Sequence, residues 1–189
     1  MLNDRSSPLA FLATRRSGKP RDLVSPGPDA AQLATMLEIA ARTPDHGKLA
    51  PWRFVVVEDR DAFATLLADA YRAERPDAKR LEIEANDQFA RQAPTLVAVL
   101  SNPKRESHIP VWEQELSAGA VAMNLLHAAN ACGFAGGWLT TWAAYSDAVR
   151  DAFGSADERI VGFFFIGTPS RELEERPRPD METIVSRWP

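Results

Sequence analysis

The feature that most constrains the fold is a long, nearly uninterrupted apolar segment, residues 111–131, which is followed by Gly133. A glycine directly after an apolar periodic run is typical of a helix end, so the segment is predicted to be one helix. A helix that is apolar almost all round must be covered on every side. We therefore expect it to form both the centre of the subunit and half of a subunit interface. The small residues between 118 and 122 would allow a second helix to approach closely.

Composition narrows the class of protein. With 189 residues and 45% apolar composition, the chain can bury one substantial core, so residues 1–189 are predicted to form a single domain. The formal net charge of −4 argues against a broad nucleic-acid-binding face. Asn124, His127 and Asn130 interrupt the stretch 116–131, which follows two glutamates and is shorter than a membrane span. The lone Cys132 and the absence of a secretory signal at the start favour a cytoplasmic protein.

The remaining pattern mixes strands and helices without regular alternation, which favours an α+β fold. Runs rich in aromatic and β-branched residues predict strands, and the run that includes Gly136 and Gly137 is the weakest of them. The predicted strands are 53–58, 95–100, 134–140 and 159–166, and the predicted shorter helices are 8–16, 29–42, 61–74, 78–91 and 146–153. Residues 168–189 contain several prolines and are predicted to form an extended C-terminal tail. The charged run 172–176 within it is interpreted as a solvated turn.

Two polar stretches stand at predicted helix ends. Arg15-Arg16-Ser17 ends the first helix, and Arg42-Thr43-Pro44-Asp45-His46 ends the second. Free guanidinium groups make two-point hydrogen bonds with phosphate oxygens, and a neighbouring serine hydroxyl adds a donor. These residue types suit a small phosphate-bearing ligand. Arginines at a helix C-terminus also interact favourably with the helix dipole, so the first stretch alone leaves a purely structural role open.

Other candidate chemistry is weakly supported. The histidines and carboxylates lack metal-ligand spacing, so we predict no metal, and no nucleophile elbow is present. His127 lies inside the apolar helix and is interpreted as a core histidine. The glycines of the 133–137 stretch are interpreted as allowing a flat group to approach the backbone closely. Trp112, Trp138 and Trp142 either surround a pocket or pack in the core.

In combination, several motifs resemble the FMN-dependent nitroreductase family, and most of all its short-chain NAD(P)H nitroreductases. The likeness extends from about residue 10 to residue 169 and rests on the order and spacing of the motifs. They are Arg15-Arg16-Ser17, Arg42-x-Pro44-Asp45-His46 with Pro51-Trp52-Arg53-Phe54, Trp112-Glu113-Gln114-Glu115-x-Ser117-Ala118-Gly119, and Gly133-Phe134-x-Gly136-Gly137-Trp138.

The resemblance implies a mixed central β-sheet flanked by helices and an intertwined homodimer with FMN at the subunit interface. By position, Arg15, Arg16 and Ser17 would hold the FMN phosphate and ring edge. Arg42 and His46 would approach from the partner subunit, and the stretch Trp138-Leu139-Thr140 would line the cofactor. The stretch 167–169 resembles the family's turn near the phosphate.

The activity implied is ping-pong reduction of nitroaromatic, quinone or similar small flat acceptors, with NAD(P)H as electron donor. The flavin supplies the hydride chemistry, so no catalytic side chain is assigned. Two positions depart from the family pattern, because Lys48 and Ala50 stand where many members carry Asn and Gln. These departures leave two alternatives open: a non-catalytic or sensory flavin-binding protein, or a family member that uses reduced flavin and oxygen.

Overall fold

The computed structural model describes all 189 residues and has a five-stranded sheet between two layers of helices. The strands are β1 (Leu23–Val24), β2 (Trp52–Val56), β3 (Thr95–Ser101), β4 (Ala135–Leu139) and β5 (Arg159–Pro169). The helices are α1 (Pro8–Thr14), α2 (Ala30–Ala40), α3 (Arg60–Glu74), α4 (Arg80–Arg91), α5 (Val111–Ala131), α6 (Asp147–Phe153) and α7 (Met181–Ile184). Short 3₁₀ turns occupy Pro20–Asp22, His46–Lys48 and Trp142–Ala144.

The strands β3 and β5 are buried on both faces, which explains their continuous apolar sequence. Alternate side chains point to opposite layers, because successive residues of a strand face opposite sides of the sheet. Phe163 and Phe165 belong to the core beneath α3, α4 and α6, whereas Phe164 and Ile166 belong to the core beneath α2 and α5. The predicted α+β arrangement is confirmed.

The predicted mixing of strand directions is wrong for the pairs within this chain, because every paired strand is antiparallel to its neighbour. Two helices, α3 and α4, connect β2 to β3. The first helix runs back along the sheet and the second returns the chain to the end at which β2 finished. The next strand, β3, therefore runs in the opposite direction to β2. One long helix, α5, connects β3 to β4, and these two strands run in the same direction. They are not neighbours, since β5 lies between them.

The helix α5 has the predicted bounds, Val111–Ala131, but one side of it is open. Val121, Ala122 and Leu125 on its inner side are fully buried. Trp112 is 68% exposed and Leu116 is 54% exposed on its outer side. A Cβ added at Gly119 would meet nothing within 4 Å. We call this outer side, from Trp112 through Leu116 and Gly119, the open face of α5. No helix of the structure is long and apolar enough to cross a membrane.

The end of β5 differs from the prediction. Thr168 and Pro169, predicted to belong to a turn and to open an extended tail, are the last residues of β5. They pair with Val24 and Leu23 of β1, a two-residue strand too short for sequence reasoning to detect. Ser170 is then held by two hydrogen bonds to the Asp22 carbonyl oxygen, at 2.8 Å from its nitrogen and 2.9 Å from its hydroxyl. The tail begins after this residue.

Candidate functional site

Arg15-Arg16-Ser17 lies where α1 ends, as predicted. The Ser7 hydroxyl accepts a hydrogen bond from the Ala10 nitrogen at 3.1 Å and caps the helix start, where Pro8 follows. The helix ends at Thr14, and Arg15 is already extended, with φ −56° and ψ 127°. The two arginine side chains are half-buried. The chain therefore presents them from an extended segment beyond the helix end.

Asn3 fixes the backbone of this segment, a role that sequence reasoning missed. Its side-chain amide donates to the Arg16 carbonyl oxygen at 3.0 Å, and its side-chain oxygen accepts from the Arg16 nitrogen at 2.7 Å. The Asn3 nitrogen also donates to the Thr14 carbonyl oxygen at 2.9 Å. A side-chain amide can pair with one residue in this two-point way because it carries both a donor and an acceptor.

Lys19 adds a third cation beside the arginine pair. Its ammonium lies 2.8 Å from a carboxylate oxygen of Glu174, and the Arg16 Nε donates to the Glu174 carbonyl oxygen at 2.6 Å. Burial lowers the pKa of Arg15, and the neighbouring charges of Arg178 and Arg16 lower it further. Positive charge is thus crowded here. We call Arg15, Arg16, Ser17 and Lys19 the cationic site. A lysine two residues beyond the serine was the signal available in the sequence.

The cationic site is attached to the edge of β4 by close backbone packing. The Gly18 nitrogen donates to the Gly136 carbonyl oxygen at 3.0 Å. A Cβ on Gly137 would lie 2.7 Å from the Gly18 carbonyl oxygen and 2.9 Å from the Pro20 ring. Glycine is needed at 137 because the chain's own backbone passes there. The interpretation that these glycines admit a flat ligand is therefore wrong for this position.

The predicted cofactor-lining stretch of β4 separates into packed and exposed residues. The Trp138 indole nitrogen donates to the Val161 carbonyl oxygen at 3.1 Å, and its ring packs 5.1 Å from the Phe164 ring, centroid to centroid. Leu139 packs against the core beneath α3 and α4. Thr140, directly after the strand, is exposed. Among the three, Thr140 is the residue whose side chain faces outward, so Trp138 and Leu139 could meet a ligand mainly through their backbone.

The three tryptophans considered as a set do not surround one pocket. The Trp142 indole nitrogen donates to the Asn86 side-chain oxygen at 2.7 Å, and its ring lies edge-on to Tyr71 at 4.8 Å. Trp112 stands on the open face of α5. Core packing, the alternative that the sequence left open, accounts for Trp138 and Trp142.

The second predicted stretch, residues 42–46, lies along α5 from the C-terminal half of the helix to its first turn. The Asn124 amide donates to the Thr43 hydroxyl at 2.6 Å, and the His46 Nδ1 lies 2.9 Å from a carboxylate oxygen of Glu113. Arg42 is exposed and makes no hydrogen bond or ion pair with its side chain. This loop also contains backbone in the left-handed region at Lys48 (φ 57°) and Ala50 (φ 44°). Asparagine tolerates that region better than lysine or alanine does.

His46 and the arginine pair lie toward opposite ends of α5, whereas Thr43 contacts the helix at Asn124, past its middle. His46 contacts Glu113 in the first turn, whereas Arg15 lies close enough to His127 that its charge, after burial, lowers the pKa of that imidazole. The helix rises about 21 Å between Glu113 and His127. One chain therefore does not bring His46 to the same small ligand as Arg15 and Arg16.

The histidines are likewise dispersed. His127 lies edge-on to the Phe11 ring at 5.7 Å, in keeping with a packed histidine, and His46 pairs with Glu113. No group of three or more His, Cys, Asp or Glu side chains is placed to hold a metal ion. The site's chemistry rests on cationic side chains, exposed hydroxyls and backbone amides.

Comparison with known proteins identifies the family that this fold and site define. The family model described as "Nitroreductase family" matches residues 12–168, so the chain belongs to that family of oxidoreductases. It is 37% identical over 164 residues to the Escherichia coli K12 protein named "Putative NAD(P)H nitroreductase YdjA". That alignment covers 85% of this chain and 87% of the relative.

Solved structures confirm the fold. A nitroreductase-like family protein from Bacillus cereus superposes with a TM-score of 0.79 at 19% identity, over 100% of this chain and 99% of the other. The FMN and NADPH-dependent nitroreductase NfnB from "sphigopyxis sp. strain HMH" gives a TM-score of 0.73 at 21% identity, over 94% of this chain and 97% of the other. The resemblance stated from the motifs is thereby confirmed.

Proposed function

We propose that this chain is an FMN-dependent NAD(P)H oxidoreductase that reduces nitroaromatic, quinone or similar flat electron-poor acceptors by a ping-pong mechanism. Family membership and the NAD(P)H nitroreductase name of the E. coli relative support the class of reaction. The FMN and NADPH dependence stated for NfnB supports the cofactors. The observation that carries the proposal is the cationic site at the end of α1.

The cationic site fits the phosphate of a mononucleotide. Two guanidinium groups, an ammonium and a serine hydroxyl lie together there, and the Lys19 ammonium already binds an anionic group of this chain, the Glu174 carboxylate. Carboxylate and phosphate oxygens accept hydrogen bonds from the same charged donors, and a phosphate offers more acceptor oxygens than a carboxylate does. Asn3 holds Arg16 in place without consuming its guanidinium. Arg15, Arg16, Ser17 and Lys19 would thus bind the FMN phosphate.

A second subunit would complete the site. A twofold-symmetric interface uses the same surface on both subunits. If a first residue of one subunit contacts a second residue of the other, the second residue of the one subunit also contacts the first residue of the other. The midpoint between Glu113 and His127 lies on the open face of α5, beside Gly119. A twofold axis there brings the Glu113 end of one helix to the His127 end of the other. His46 of one chain would then approach the cationic site of its partner, and Arg42, four residues earlier in the same loop, is proposed to do so from the order of the motifs.

Exposed apolar residues support this dimer. Trp112 and Leu116 on the open face are more than half exposed, and so are Leu9 (78%) and Leu12 (58%) on α1. Exposed apolar side chains that cluster on a surface are typical of interaction sites in soluble proteins. The prediction that α5 is both a central helix and half of an interface agrees with this distribution.

The chain's residues would mainly bind and orient. FMN, when bound, supplies the hydride chemistry by taking a hydride from NAD(P)H and passing it to the acceptor. Thr140, exposed where β4 ends, offers a hydroxyl and a backbone amide to the ring edge. The His46–Glu113 pair would stand at the mouth of the partner's site, where its exposed imidazole could exchange protons with solvent. No side chain is proposed as a nucleophile.

Absorption spectroscopy of the purified protein tests the proposal. We expect a flavin spectrum, or its appearance after FMN is added and excess removed, and bleaching within seconds when NADH or NADPH is mixed anaerobically. Reoxidation by a nitroaromatic or a quinone should then restore the spectrum. A flavin that binds but stays oxidised for minutes with both donors would instead indicate a non-catalytic flavin-binding protein. Consumption of oxygen with a modified flavin or substrate product would indicate oxygen chemistry.

A further inference from the structure

The segment before α1 folds back along the end of that helix. The Asn3 nitrogen donates to the Thr14 carbonyl oxygen at 2.9 Å, and the Asp4 nitrogen donates to the Thr14 hydroxyl at 2.9 Å. We call residues 2–6, which precede the helix cap, the arm. The arm therefore reaches the point where the helix ends and the cationic site begins.

The backbone of the cationic site needs this support. A helix leaves the carbonyl groups of its last turn without partners in the helix, and Arg15 and Arg16 belong to no helix or strand. The Asn3 side chain nevertheless bonds both the nitrogen and the carbonyl oxygen of Arg16, at 2.7 Å and 3.0 Å. Because these bonds fix the main chain, the Arg16 side chain extends from an ordered backbone.

Asparagine suits position 3 for two independent reasons. Its backbone lies in the left-handed region, with φ 52°, which asparagine tolerates better than most residues do. Its short amide offers one donor and one acceptor, which match the carbonyl oxygen and the nitrogen of Arg16. The contact uses no atom of the Arg16 side chain. A glycine at position 3 would satisfy the backbone conformation but would leave Arg16 without these partners.

We propose that Asn3 is a positioning residue for the cofactor phosphate, which it serves by ordering the Arg16 backbone before FMN binds. The inference rests on the proposed FMN function and adds that a residue of the arm, acting through Arg16, sets the affinity for the cofactor. A binding group that is already ordered loses less conformational freedom when its ligand arrives. If Arg16 became ordered only on binding, the affinity for FMN should fall about three- to tenfold.

The variant Asn3→Gly tests the proposal, because glycine keeps the left-handed backbone and removes only the amide. Quenching of flavin fluorescence measures the affinity for FMN and for riboflavin, which lacks the phosphate. We expect FMN to bind about three- to tenfold more weakly and riboflavin to bind as before. The matched control is Ser7→Ala, which removes the cap at the other end of α1 and should leave both affinities unchanged.

A double-mutant cycle with Arg16→Ala shows whether Asn3 acts through that guanidinium. Once the guanidinium is absent, no phosphate-binding group remains for Asn3 to order at this position. Adding Asn3→Gly to Arg16→Ala should therefore change the affinity for FMN by less than about twofold. A full three- to tenfold further loss would show independent effects and would overturn the positioning role.

The remaining outcomes separate the positioning role from the proposed function. Equal FMN affinity in the wild-type protein and Asn3→Gly overturns the positioning role and leaves the proposed function intact. Equal weakening of FMN and riboflavin, or the same loss in Ser7→Ala, also overturns it, since a general loss of structure would explain the effect. Failure of the wild-type protein to bind FMN overturns the proposed function as well. Circular dichroism checks that each variant folds. If Asn3→Gly does not fold, Asn3→Gln, which moves the amide by one methylene, takes its place with the same expected loss.

Discussion

Replacing Arg16 by alanine is the most direct perturbation of the cationic site. The Arg16 side chain is half-buried, and its backbone is held by the two hydrogen bonds of Asn3. The substitution removes the guanidinium while these backbone bonds, which use no side-chain atom of Arg16, remain available. Arg15 and Lys19 keep their charges. The variant should therefore fold and retain a weakened site.

The expected loss follows from the bonds removed. A hydrogen bond to a charged group contributes about 1.5–3 kcal/mol, which corresponds to roughly a tenfold to a hundredfold weaker affinity for FMN. Because the side chain is only half-buried, solvent screening favours the lower part of this range, near tenfold. Riboflavin affinity should change far less, since riboflavin presents no phosphate. The gap between FMN and riboflavin should also narrow for the wild-type protein at high salt.

Fluorescence titration with both flavins provides the measurement, and Arg21→Ala provides the control. Arg21 is an exposed arginine five residues further along the chain, and its side chain makes no hydrogen bond or ion pair. Unchanged FMN affinity in Arg16→Ala would exclude Arg16 from phosphate binding. A similar loss in Arg21→Ala would show that long-range charge, rather than contact, holds the cofactor.

Three further predictions address the support, the assembly and the pH response of the site. Asn3→Ala should lower the free energy of unfolding by about 1–3 kcal/mol in urea titrations, because it leaves the peptide groups of Arg16 without their partners. Leu116→Glu should give monomers in analytical ultracentrifugation with an unchanged circular dichroism spectrum, whereas Leu81→Glu, at a 69% exposed position on α4, should leave the assembly intact. Burial and the Arg15 charge lower the pKa of His127, so its contribution to stability is present above pH of about 6.5 and is lost as pH falls through the folded-state pKa. His127→Gln should flatten this part of the stability profile, and an unchanged slope would contradict the assignment.

Local signals made much of the fold predictable. Signals within a few neighbouring residues predicted three features: the apolar helix α5, the start of α1 at Ser7 and Pro8, and the apolar strands β3 and β5. The spacing of apolar residues and the capping residues of a helix are local properties of the sequence. The positions of Arg15–Ser17 and of Arg42–His46 beyond helix ends followed from the same signals. The expectation that both stretches meet one cofactor came from motif order instead, since periodicity carries no information on long-range contacts.

The errors arose where distant segments meet. The direction of β3 depends on two intervening helices that pack as a pair, and neither helix specifies that pairing in its own sequence. Arg60 illustrates the point, because its guanidinium donates to the carbonyl oxygens of Ala90 (2.6 Å) and Ala93 (3.2 Å) and fixes the end of α4 from the start of α3. Burial lowers the pKa of Arg60 to about 10. Nothing in the pattern around Arg60 indicates this partner.

The interpretation of the tail changed for a similar reason. A run of alternating charges has the composition of a solvated turn, and its sequence does not reveal what it touches. Pairing of Thr168 and Pro169 with β1 extends β5 beyond the predicted strand end and carries the chain to Ser170, beside Asp22. From that point the next four residues reach Arg16 and Lys19. The contact of Glu174 with the cationic site is thus a consequence of strand register, and a variant that weakened the β1–β5 pair should release the tail even with Glu174 unchanged.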